Sequence, residues 1–76
     1  MASLSKEGVF LRLKLKNKEI GFVRIENIEA TIYYDEYTGY AEFYLKGREK
    51  PINFEIEFDE YRRAVSIIDE FKNANI

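Results

Sequence analysis

The 76 residues suffice for one domain, and a chain this short buries only about 60% of its unfolded surface, so its apolar side chains must be used efficiently. The composition, 46% hydrophobic, 16% aromatic and 34% charged with a net charge of −2, is that of a folded, soluble domain and excludes a disordered segment. With no Cys and no His, disulfides and thiolate metal sites are excluded, and the side chain most used for acid–base work and metal ligation near neutral pH is missing.

Residues 1–8 are polar, lack the apolar stretch of a targeting segment and are expected to be flexible. Val9 to Lys16 then alternates: Val9, Leu11, Leu13 and Leu15 point one way, Phe10, Arg12, Lys14 and Lys16 the other. Such period-two alternation predicts a half-buried strand. Asn17-Lys18-Glu19 forms the turn after it.

Ile20 to Tyr34 is long for one strand. Its apolar phase runs through Val23 and Ile25, then resumes an odd step later at Ile28, Ala30, Ile32 and Tyr34. One extra residue around Glu26-Asn27, taken up as a bulge or bend, restores the face, so a single long strand bent near Asn27 is expected. Residues 35–39 make a hairpin loop, with Tyr37 at its tip and Gly39 free to adopt positive φ. Tyr40 to Lys46 alternates again, Phe43 and Leu45 inward against Tyr40, Glu42, Tyr44 and Lys46 outward. After a turn ending at Pro51, Ile52, Phe54, Ile56 and Phe58 alternate with Asn53, Glu55 and Glu57.

Asp59 suits a helix N-cap and Glu60 the first turn. Tyr61, Ala64, Val65, Ile68 and Phe71 follow at helical spacing. The expected fold is therefore α+β: a four-stranded antiparallel β-meander with one C-terminal α-helix on one sheet face, as a single domain over residues 1–76. Its expected core is Val9, Leu11, Leu13, Leu15, Val23, Ile25, Ile28, Ala30, Ile32, Phe43, Leu45, Ile52, Phe54, Ile56, Phe58, Val65, Ile68 and Phe71.

Nothing in the pattern points to catalysis. Glu55 and Glu57, Asp35 and Glu36, and Asp59 and Glu60 are carboxylate pairs, but on an open strand face or in turns they stay ionised and equivalent, which does not divide acid from base. The four glycines are isolated, so no phosphate-cradling loop exists, and Asp35-Glu36 lacks the alternating ligands of a calcium loop. No enzyme activity, cofactor or metal is expected. No apolar run approaches the roughly 20 residues of a membrane-spanning helix, and a cytoplasmic location is the expectation.

What remains is surface. One helix covers one sheet face, leaving Tyr33, Tyr40 and Tyr44, with Phe10 as an extension, on the other. Tyrosines supply rigid, amphipathic contact area, so this face predicts a protein-interaction module that self-associates as a homodimer. The alternative rests on charge. Residues 1–24 carry +4 and residues 25–76 carry −6, and Arg12, Lys14, Lys16 and Lys18 beside Phe10 form a basic, aromatic strip of the kind that binds nucleic acid. The sequence pI of about 5.2 counts against that reading, as does neutralisation by Glu55 and Glu57 should they lie beside the basic strand. A third reading makes Glu55, Glu57, Asp59, Glu60, Asp69 and Glu70 an acidic surface for a basic partner.

Overall fold

A computed structural model describes residues 1–36 and 39–74, as two three-stranded antiparallel sheets and one C-terminal helix. In chain order these are β1 (Ser3–Leu4), β2 (Phe10–Lys14), β3 (Ile20–Arg24), a 3-10 turn (Ile25–Asn27), β4 (Ile28–Tyr34), β5 (Tyr40–Leu45), β6 (Ile52–Phe54) and α1 (Phe58–Ala74). The first sheet has the order β1-β2-β3 and the second β4-β5-β6. The expected α+β class with antiparallel strands and a C-terminal helix is correct. A single four-stranded meander is not.

The difference arises at Ile25. Instead of bending one long strand, the chain takes a 3-10 turn over Ile25–Asn27, whose first residue is buried, and enters a second sheet. Ile25, Val23 and Ile28 all reach the core, so the turn preserves the apolar phase while changing the sheet. Within residues 1–8, Ser3 and Leu4 pair with Arg12 and Leu11, which makes β2 the central strand of its sheet.

Further along, the pairing of β4 with β5 skips a residue between Ile28 and Ala30, so Glu29 is extra. A one-residue shift exchanges the two faces of everything beyond it. Thr31 and Tyr33 therefore turn inward, opposite Phe43 and Ala41, while Ala30 and Ile32 turn to solvent. This corrects the expected core at both positions. Phe58 is likewise exposed, because the helix begins there and not at a cap formed by Asp59.

Leu11, Leu13 and Val23 from the first sheet, Ile28, Ala41 and Phe43 from the second, and Ala64 and Ile68 from the helix share one core with Ile25 and Ile56. Gly21 sits where a Cβ would lie 2.8 Å from the Phe54 ring, so the absent side chain lets β6 and β3 approach. The backbone joins the sheets where Lys16 N–H donates to the Glu55 carbonyl at 2.9 Å. No helix among the described residues is long and apolar enough to cross a membrane.

Candidate functional site: two outer sheet faces

Each sheet turns one face to the core and the other outward. On the second sheet, the cross-strand partners Tyr34 and Tyr40, Ile32 and Glu42, and Ala30 and Tyr44 share the outer face, with Asn53 beside Glu42. Tyr34 and Tyr40 stack with centroids 4.8 Å apart and planes 18° apart. The Tyr44 hydroxyl donates to Glu42 at 3.2 Å. Tyr34 donates to the same carboxylate, and that hydrogen bond is the main reason its pKa is pushed up to about 12. Tyr44 is also raised, by desolvation first and then by Glu42. The carboxylate thus lies between two phenols, and Ile32 stands 41% exposed opposite it.

Tyr40 and Tyr44 occupy the outer face as expected. Tyr33 does not. Its ring lies 5.3 Å from Phe58 and 5.2 Å from Tyr61, and its hydroxyl donates to the Ile56 carbonyl at 3.3 Å. Tyr61 in turn shares a 3.0 Å hydrogen bond with Thr31, so Tyr33 belongs to the seam between β4 and the helix. Burial, followed by the charges of Asp35 and Glu57, raises its pKa. Tyr34, assigned inward by the sequence, takes Tyr33's place outside. Tyr37 lies outside the described residues.

Phe10 lies on the first sheet, not beside the tyrosines. The register pairs Phe10 with Arg24, Arg12 with Phe22, and Lys14 with Ile20, and both strands alternate exposed and buried residues. All six therefore share one outer face, on which Phe10, Ile20 and Phe22 are 41%, 45% and 55% exposed. Phe10 meets Phe22 edge to face at 6.5 Å, and the Arg12 guanidinium lies 6.0 Å from the Phe22 centroid. Of the acidic residues in the sheet's connections, Glu7 lies in a turn and Glu19 immediately before β3.

The four basic residues of the alternative reading divide. Arg12 and Lys14 stay on the aromatic face, whereas Lys16 and Lys18 line a depression with Lys14, Leu15, Glu57, Asp59 and Glu60. Ion pairs among the described residues are Arg24 with Glu26 at 2.6 Å and the Met1 amino group with Glu60 at 3.7 Å. Glu55 and Glu57 form no ion pair with Arg12 or Lys14 among the described residues, although Glu57 lines the same depression as Lys14.

Phe22, Ile20 and Arg24 were missed as site residues. Their alternation with Gly21 and Val23 was available in the sequence, but only the cross-strand register places them beside Phe10 and Arg12. Among the described residues, no group of three or more acidic side chains comes together in a way that could hold a metal ion. Comparison with family models, curated proteins and solved structures finds no match to this chain.

Proposed function

We propose that the chain is a non-enzymatic protein-interaction module that self-associates through the outer face of β4, β5 and β6. The supporting observation is the chemistry of that face. Ile32, Tyr34, Tyr40 and Tyr44 offer apolar and ring surface, and the one carboxylate among the paired positions already has tyrosine hydroxyls as partners. Against a second copy this face buries one carboxylate that keeps phenol donors, and a buried polar group with a hydrogen-bond partner costs less than one with none. A two-fold dimer sets the patch against itself, and tyrosines suit its centre because they lose little conformational freedom.

The face of β2 and β3 is poorly suited to the same role. A two-fold contact there would bring Arg12, Lys14 and Arg24 against their own copies, and like charges oppose such a contact. Sedimentation velocity over a concentration series tests the proposal. Wild type and Phe22→Ser should form the dimer, and Ile32→Glu should abolish it. A wild-type monomer at every concentration, or a dimer indifferent to Ile32→Glu, would refute it.

A further inference from the structure

We propose that the outer face of β2 and β3 binds single-stranded nucleic acid. This inference does not depend on self-association, since it concerns the other sheet. Two rings, Phe10 and Phe22, stand exposed and alternate with Arg12, Lys14 and Arg24 across the two strands. No acidic residue belongs to the five cross-strand pairs of that ladder. Exposed rings give unpaired bases a surface to stack on, and the cations between them meet the phosphates. A duplex keeps its bases stacked on one another and cannot use the rings in this way.

The acidic pI does not weigh against a local site of this kind. The acidic excess belongs to residues 25–76, whereas the face is built from residues 10–24. Carboxylates do border its two ends: Glu26 holds the Arg24 side chain at 2.6 Å, and Glu57, Asp59 and Glu60 line the depression that Lys14 borders, so a phosphate at either end competes with a carboxylate. Arg12 and Lys14 form no ion pair among the described residues and are the cations this proposal relies on. Arg12 is additionally set over the Phe22 ring, which holds the guanidinium beside the stacking surface.

Two phosphate contacts on a single strand imply a slope of log K against log salt of roughly −1.4, about −0.7 for each. Fluorescence anisotropy with labelled oligothymidylate and oligouridylate, in a low-salt series, measures this directly. Arg12→Gln should halve the slope. Phe22→Ala should leave the slope unchanged and weaken binding by roughly 5- to 150-fold, the equivalent of about 1–3 kcal/mol for one lost stack. Should circular dichroism show that variant unfolded, Phe22→Leu decides, because it keeps apolar bulk and removes the ring. Either oligonucleotide binding with these dependences supports the proposal, and the preferred sugar follows from which binds tighter. Absence of binding at low salt, equal binding of a duplex, equal binding of a polyglutamate peptide, or indifference to loss of the ring would each overturn it.

Discussion

Tyr33 carries the sharpest residue-level consequence. The same phenol would be a surface anchor on one face of β4 and is a seam residue on the other. Removing its hydroxyl in Tyr33→Phe should cost about 0.5–1.5 kcal/mol in urea unfolding, the usual worth of one hydrogen bond. Tyr33→Ala should cost up to about 3 kcal/mol, the lower end for losing an interior aromatic ring. Loss of self-association with stability intact would instead place this ring outside. The tyrosines also set an alkaline limit. A phenol whose pKa is raised by folding contributes stability that is present below its ordinary value of 10.0 and is lost as pH climbs through the folded value, about 12 for Tyr34. A spectroscopic tyrosine titration should therefore show ionisation delayed beyond the ordinary range for Tyr33, Tyr34 and Tyr44. Glu42→Gln should bring Tyr34 back down toward 10.0, since the carboxylate is the main cause of its shift. An unchanged titration in that variant would remove Glu42 from the account.

At the scale of elements, the decisive features are short irregularities and one carboxylate. β1 pairs only with Leu11 and Arg12, so it ends before it can serve the outward-turned N–H of Lys14. Glu60, buried in the first helical turn, accepts that N–H at 2.7 Å. One helix side chain thus continues the ladder where the strand stops and fixes the helix against β2. Glu60→Ala leaves the Lys14 amide without this acceptor, and the expected loss is about 1–3 kcal/mol. Native-state amide exchange should quicken at Lys14 in that variant, and Glu60→Gln, which keeps an acceptor, should lose less. Stability within about 0.5 kcal/mol of wild type would show the contact to be incidental. The periodicity of the helix was legible from Tyr61, Ala64, Ile68 and Phe71, whereas the inward aim of Glu60 was not. A carboxylate in a first turn ordinarily faces water, and its partner lies 46 positions away.

At the scale of the molecule, the uneven charge along the sequence becomes uneven charge in space because the first and second parts of the chain build different sheets. The outer face of β2 and β3 is cationic and aromatic. That of β4, β5 and β6 is aromatic around one hydrogen-bonded carboxylate. The two faces thus present different chemistry, and the tests by sedimentation and by anisotropy address them separately. Ile32→Glu should abolish the dimer and leave oligonucleotide binding in place, and Phe22→Ala should leave the dimer in place and weaken oligonucleotide binding.

Local pattern alone placed strands within Val9 to Lys16 and Tyr40 to Lys46, where β2 and β5 lie, together with the helical stripe and the turns at Asn17-Lys18-Glu19 and Gly39, because each rests on contacts or dihedral preferences within a few residues. Tertiary structure decided how the long middle segment was divided. A 3-10 turn at Ile25–Asn27 keeps the apolar phase from Ile25 to Ile28, whereas the extra residue at Glu29 breaks it beyond Ile28, and only pairing with Leu45 and Tyr44 shows that break. Since strand faces alternate at every residue, that difference sent Tyr33 inward, Ile32 outward and Phe10 to a separate sheet.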